Sequence, residues 1–323
     1  MIRETFQLMR AQTAPATVTL VTLGYIAGGG NLLSVQGLLV ALYAYLVHIF
    51  ASGHNSVADY MWDLRDPAKQ HHPLVSGKMS YNYAVNLINT GIIAVASAGV
   101  IMALMWSPRP ELALASYVLF VIGGFTYNGA LSKTSYLGWI ASAISVTSFA
   151  SYSYWLSAST LTPIGILYIS YFFLTNVFQI GYSGYLKEIE VDDQPNMLHK
   201  LGARVVLGAY LPTIATIVWA VVVKMAAILV AMYMVFLRPS LPVVIWCIVV
   251  SIGIVVILGE MLAPRRWVRS RELKVMSLME ILSFYLVVPI IAPPLESVIL
   301  MVFGVVYFYL MNKTLWGTSY PRV

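Results

Sequence analysis

Asn55, Asp59 and Asp63 stand four residues apart at the end of a long apolar stretch, in HNSVADYMWDLRDPAKQHHPLVSGK. Glu188 and Asp192 repeat that spacing at the end of another apolar stretch, in GYLKEIEVDDQPN. A spacing of four places side chains on one face of a helix. The helix macrodipole disfavours negative charge at a C-terminal end, and carboxylates near a membrane interface need compensation. A divalent cation supplies it, because Mg²⁺ takes oxygen ligands, keeps waters and bridges carboxylates to phosphates. One acidic pair at a helix end is ordinarily solvated loop charge. Two pairs with equal spacing, separated by one common offset (Asp59 to Glu188, Asp63 to Asp192), weigh toward a shared role, that of holding a diphosphate through metal.

The elements that carry these residues follow from composition. The chain has 323 residues, 59% hydrophobic and 10% charged, with mean hydropathy +0.80. Soluble domains carry about 25% charged residues, so this is an integral, multi-pass membrane protein. A span needs about 20 mostly apolar residues. Ten stretches fit: 14–30, 34–62, 80–106, 111–128, 136–157, 163–187, 204–235, 240–262, 273–292 and 295–312. Merging the last two across Pro293-Pro294 leaves nine. The expected fold is an all-α polytopic transmembrane bundle of nine or ten spans around a central cavity, one domain over 1–323. Met1–Gln12 is polar and does not read as a cleavable signal peptide. The single cysteine, Cys247, excludes an internal disulfide and a thiolate metal cluster.

With a cytoplasmic N-terminus, 16 of the 19 Lys and Arg residues fall on the cytoplasmic side. That bias follows the positive-inside rule. It places both acidic clusters, and the loops 64–79 and 193–203 after them, toward the cytoplasm. Arg265, Arg266, Arg269 and Arg271 read as a topology signal facing anionic lipid. Lys224, near mid-span, reads as structural, snorkelling or pairing with Glu260 or Glu280. Glu280 reads first as a helix–helix hydrogen-bonding group and second as a base. Gly28–Gly30 reads as a loop, and the Tyr-rich stretch 151–155 as packing.

At its acidic residues the chain resembles the UbiA superfamily of intramembrane prenyltransferases. The family's first motif, Asn-x-x-x-Asp-x-x-x-Asp, is met by Asn55-Ser-Val-Ala-Asp59-Tyr-Met-Trp-Asp63. The His-Arg-Pro-Ser-Gly phrase that follows is met by His71 to Lys78, with His72 where Arg is usual. The second motif, Asp-x-x-x-Asp before a Leu-Gly phrase, is met by Glu188-Ile-Glu190-Val-Asp192 and Leu201-Gly202. Tyr127 and Lys133 stand where the family carries a Tyr and a Lys after the fourth span, at longer spacing.

This resemblance implies a Mg²⁺-dependent enzyme moving a polyprenyl group from a prenyl diphosphate to a small acceptor. Asn55, Asp59 and Asp63 would hold one Mg²⁺, and Glu188 and Asp192 the other. Lys133, Lys187, Lys78, His72, Arg204 and Tyr127 would contact the diphosphate. Aromatic faces near the motifs, among them Tyr60, Trp62, Tyr127, Tyr182 and Tyr185, would shield an allylic cation. The acceptor would be a quinone-precursor ring or a prenylated glycerol phosphate. Partners would be these substrates and membrane lipid, with no nucleic acid and no obligate protein. A membrane terpene cyclase would use the same metal site without an acceptor. A cation-coupled transporter would instead need carboxylates near the midplane on broken helices, whereas these lie at span ends.

Overall fold

The computed structural model describes residues 1–66, 69–131, 135–187, 189–190 and 196–318. The chain groups into two compact units, one of Met1–Tyr117, Tyr152–Ser159 and Val298–Val323, the other of Val118–Ser151 and Thr160–Ser297.

The first unit begins with α1 (Ile2–Leu8) and a 3₁₀ turn at Ala11–Thr13. It continues with α2 (Ala14–Ala27), α3 (Val35–Ala58), α4 (Tyr60–Asp63) and α5 (Tyr81–Trp106). Then come the start of α6 (Pro110–Thr126), the end of α7 (Gly138–Trp155) and most of the last helix, Pro294–Trp316. Ser34 caps α3 by accepting from the Gly37 amide at 3.0 Å, the usual use of a serine at a helix start. α3 packs on α2 and on α5. At Gly91 of α5, a Cβ would meet the Phe50 ring of α3 at 1.9 Å, so only glycine allows that approach.

The N-terminal segment is tied down. Arg3 Nη2 and Gln7 Nε2 donate to the Leu315 carbonyl at 2.8 and 2.6 Å, and Ser56 Oγ donates to the Leu8 carbonyl at 3.0 Å. Leu8, Met9 and Ala11 join Ile49, Leu74, Met79, Ala84 and Ile88 in a buried apolar cluster. The sequence offers no apolar stretch here that would announce an element.

The second unit holds the end of α6, a π turn at Tyr127–Leu131, most of α7, and α8 (Pro163–Phe178) running into a π turn at Gln179–Gly184. After α9 (Met197–Lys200) come β1 (Arg204–Val206), β2 (Ala209–Leu211), α10 (Ile214–Leu237) and α11 (Leu241–Leu262). The unit closes with β3 (Arg265–Arg266), α12 (Arg269–Leu286) and α13 (Val288–Ile291). α8 packs on α10, and α11 on α12. The final helix, Pro294–Trp316, is α14.

Each of the expected spans is met by a helix. Among the described residues, eight helices are long and apolar enough to cross a membrane: α3, α5, α6, α8, α10, α11, α12 and α14. α2, with 14 residues, and α7, with 18, match the other two expected stretches but are not among those eight. α12–α13 and α14 stay separate at Pro293-Pro294, which favours the longer count over the merged one.

The stretch 204–235 is not one span. Residues 204–211 form an antiparallel hairpin with Val206 opposite Ala209. Its two-residue turn, Leu207-Gly208, has φ of +50° and +74°, the sign pattern that matches the twist of paired strands. β3 pairs with β2, setting Arg265 opposite Tyr210. The helix starts later, at Ile214, capped by Thr213, whose Oγ1 accepts from the Thr216 amide at 3.2 Å.

Arg265 also departs from expectation. Its guanidinium is buried against the Glu272 carboxylate, with Nε to Oε1 at 2.9 Å and a second contact from Nη2 to Oε2. Nη1 donates to the Met261 carbonyl at 2.7 Å. Arg271 pairs with Glu260 at 2.7 Å. Lys224 therefore does not find Glu260. Its ammonium donates to Ser283 Oγ at 3.0 Å and lies 4.1 Å from the Phe178 ring centroid. Glu280 accepts from Gln179 Nε2 at 2.9 Å, the helix–helix bond expected first.

Candidate active site

The first acidic motif survives a break in its helix. α3 ends at Ala58, yet the Asp59 amide donates to the Asn55 carbonyl and the Asp63 amide to the Asp59 carbonyl, each at 2.9 Å. The i to i−4 register thus runs from α3 into α4, keeping Asn55, Asp59 and Asp63 on one face. Asn55 Nδ2 donates to Asp59 Oδ2 at 2.9 Å.

Asp63 is only 3% exposed. Lys69 Nζ lies 2.7 Å from its Oδ1, while among the described residues its Oδ2 is buried without a hydrogen-bond partner. Burial pushes the Asp63 carboxyl above its ordinary range, against the pull of Lys69. Lys69 was not singled out by its sequence position, six residues beyond Asp63 in a loop.

The following loop is closed by its own backbone. The His72 amide donates to the Lys69 carbonyl at 2.8 Å and the Ser76 amide to the His72 carbonyl at 2.8 Å. Gly77 takes φ +71° at the turn. His72 is buried, and among the described residues both ring nitrogens lack a hydrogen-bond partner. Burial, then the charges of Arg10 and Lys69, push its pKa down to about 3, so the ring is neutral. Lys78 is exposed. Tyr60 stacks on Tyr81 with ring centroids 5.1 Å apart.

These residues fit a hard divalent cation. Asn55, Asp59 and Asp63 are oxygen donors one turn apart, and the buried Asp63 Oδ2, without a hydrogen-bond partner among the described residues, is an oxygen suited to a metal. Among the described residues no three His, Cys, Asp or Glu side chains converge on a metal position. Glu188, Asp192 and Lys133 lie outside the described residues.

Around the second motif, the described residues show how the chain is held. Asn196 Nδ2 donates to the Tyr185 carbonyl at 3.0 Å, and its Oδ1 accepts from the Leu198 amide at 2.8 Å, capping α9. His199 Nε2 meets the Ile189 carbonyl at 2.8 Å. The Leu201-Gly202 phrase ends α9: Gly202 has φ +89°, its amide reaches the His199 carbonyl, and the Ala203 amide the Leu198 carbonyl, both at 2.9 Å. That is the left-handed glycine termination of a helix. Neither Asn196 nor His199 stood out in sequence.

Lys187 is half-buried, Tyr127 lies in the π turn after α6, and Arg204 is exposed on β1. Tyr182 does not offer a free face. It is fully buried, its hydroxyl lies 3.0 Å from both the Tyr210 hydroxyl and the Met261 carbonyl, and its ring stacks on Phe178.

Fold and site together define a class: a multi-pass helical membrane protein with an oxygen-donor acidic site where a span ends. The UbiA prenyltransferase family profile matches residues 16–284, so the chain belongs to that family and is an intramembrane prenyltransferase. Among solved structures, the chain is similar to the apo structure of a UbiA homolog from Aeropyrum pernix K1. The two share 14% identity over 91% of this chain and 96% of that one, with a TM-score of 0.62. It is also similar to a UbiA homolog from Archaeoglobus fulgidus bound to DMAPP and Mg²⁺, at 13% identity over 88% and 99%, with a TM-score of 0.59. The same homolog bound to GPP and Mg²⁺ gives 14% identity and a TM-score of 0.57. No curated protein matches the chain.

Proposed function

We propose that the protein is a single prenyltransferase domain that moves a polyprenyl group from a prenyl diphosphate to a small acceptor. The observation that carries this reading is the Asp63 carboxylate, buried, in register with Asp59 and Asn55, with one oxygen on Lys69 and the other unpartnered. The similar homolog from Archaeoglobus fulgidus binds DMAPP, GPP and Mg²⁺, which supports the same chemistry here.

Asn55, Asp59 and Asp63 would hold one Mg²⁺, and Glu188 and Asp192 a second. Bound there, Mg²⁺ supplies Lewis-acid stabilisation to the departing diphosphate. Lys133, Lys187, Lys78, Arg204 and Tyr127 would donate to phosphate oxygens, and His72 would donate as a neutral ring. Tyr60 and Tyr185 would face the allylic cation left by C–O cleavage. The positive-inside bias supports a cytoplasmic opening for the site.

The acceptor is a quinone-precursor ring or a prenylated glycerol phosphate. Purified protein, Mg²⁺ and radiolabelled geranylgeranyl diphosphate, incubated with a fractionated lipid extract, identify whichever fraction takes up label. Diphosphate release that needs an acceptor supports transfer. A labelled cyclic hydrocarbon formed without acceptor overturns it.

A further inference from the structure

Against the first motif, wholly within the first unit, lies a small cavity lined by Arg10, Gln12, Lys69, His71, His72 and Trp316, with Gln7 beside them. Each of these side chains carries a nitrogen donor, and among the described residues no carboxylate lines the cavity. Four of them are unsatisfied. Among the described residues, Arg10 Nε, both amide atoms of Gln12, both ring nitrogens of His72 and Trp316 Nε1 are buried without a hydrogen-bond partner. Gln12 is 0% exposed. Leaving a buried polar group unpaired is destabilising, so this concentration is an expense the fold sustains at one place.

Charge decides between water and an anion as the missing partner. The Lys69 ammonium is neutralised by Asp63 at 2.7 Å. The Asp63 carboxylate also feels the Arg10 charge, so one carboxylate faces two cations, and a guanidinium fork matches phosphate oxygens. Arg10 also takes φ 47° and ψ 40°, a left-handed conformation, which is unfavourable for a non-glycine residue. Thr13 fixes it, its amide and Oγ1 bonding the Arg10 carbonyl at 3.0 and 2.9 Å. The free space is about 10 Å³, roughly one water, so a larger anion enters only as the half-buried Arg10 and His71 move outward.

We propose that this cavity is a phosphate subsite, separate from the metal-held diphosphate, in which Arg10 supplies charge and Gln12 and Trp316 supply neutral donors, with His72 on the wall it shares with the diphosphate site. Its occupant is the phosphate ester of a second molecule, a free acceptor or an anionic lipid headgroup. The proposal rests on the function above only in calling the two anions separate.

The test starts without metal. Wild-type protein in a phosphate-free maltoside detergent with EDTA is titrated calorimetrically with inorganic phosphate, then with glycerol phosphate. Binding is expected, weakened about tenfold or more in Arg10→Gln and in Gln12→Leu, the loss of one charge-assisted or buried contact. Gln12→Leu should also melt higher than wild type in phosphate-free buffer, which separates a lost ligand contact from a damaged fold. In bilayers of phosphatidylcholine alone, phosphate binding should persist. If adding phosphatidic acid displaces it and glycerol phosphate never binds, the occupant is a lipid headgroup; glycerol phosphate binding in both bilayers identifies a free ester. Absent phosphate binding, or binding unchanged in both variants, overturns the subsite. Mg²⁺-dependent geranylgeranyl diphosphate binding that weakens in parallel in both variants overturns its separateness. Failure of that diphosphate binding in wild type would instead strike the proposed function, leaving the metal-free phosphate result to stand by itself.

Discussion

Lys69 Nζ sits 2.7 Å from Oδ1 of Asp63 and leaves Oδ2 of the same carboxylate buried and unpaired. A tethered ammonium therefore occupies half of the group that a divalent cation would need. The two cations compete for one carboxylate. Lys69→Met should raise the affinity for Mn²⁺, read by electron paramagnetic resonance with inorganic diphosphate present, by about tenfold. Equal affinity in the variant would mean that Lys69 yields the carboxylate without cost.

Asp63→Ala and Asp192→Ala should each lower turnover of a prenyl diphosphate by about 100-fold or more, as expected when a charge-stabilising ligand is lost. Asp63→Asn keeps an oxygen facing Lys69, so the metal-free protein should stay folded, with a stability loss below the ~3–5 kcal/mol of a fully stranded buried charge. Full activity in either alanine variant would remove that residue from the site.

His72 gives the metal-free protein an acid-sensitive stability. Its folded-state pKa, about 3, lies below the ordinary imidazole value because of burial and the nearby Arg10 and Lys69 charges. The unfolded chain therefore takes up its proton first, near pH ~6.5. The stability contributed by the neutral ring is complete above that pH and is lost as pH falls toward the folded-state value. The slope from this one group is at most about 1.4 kcal/mol per pH unit. His72→Asn should flatten that part of the profile of denaturation midpoint against pH in detergent. An unchanged profile would place the acid sensitivity elsewhere.

Arg265 and Glu272 form a buried pair, 8% and 1% exposed. Glu272→Ala alone should destabilise by about 3–5 kcal/mol, because it strands a buried guanidinium. Arg265→Met with Glu272→Met should recover most of that loss, since neither charge is then buried alone. Additive losses in chemical denaturation of the two single variants and the double would show that the pair is not coupled.

Much of the architecture was legible because it is written locally. Apolar stretches long enough to span a bilayer announce helices wherever they occur, and nearly all of α2 through α14 fell where hydropathy placed them. The four-residue spacing of Asn55, Asp59 and Asp63 set their common face, since helical register depends only on neighbours in the chain. The same two motifs led to the family whose profile the chain matches.

What the sequence could not show depends on residues far apart. Residues 204–211 are apolar enough to pass for the start of a span; a positive φ at Leu207 and Gly208, and pairing with 265–266, make them strands instead. Arg265 looked like one basic residue in a cytoplasmic run until folding buried it on Glu272. Gln7 meets Leu315 across 308 positions, and that closure brings Arg10 and Gln12 beside His72 and Lys69. Hydropathy and spacing report how each segment meets its solvent and its own helix. Which polar groups are left without partners is decided only when distant segments exclude water from one another.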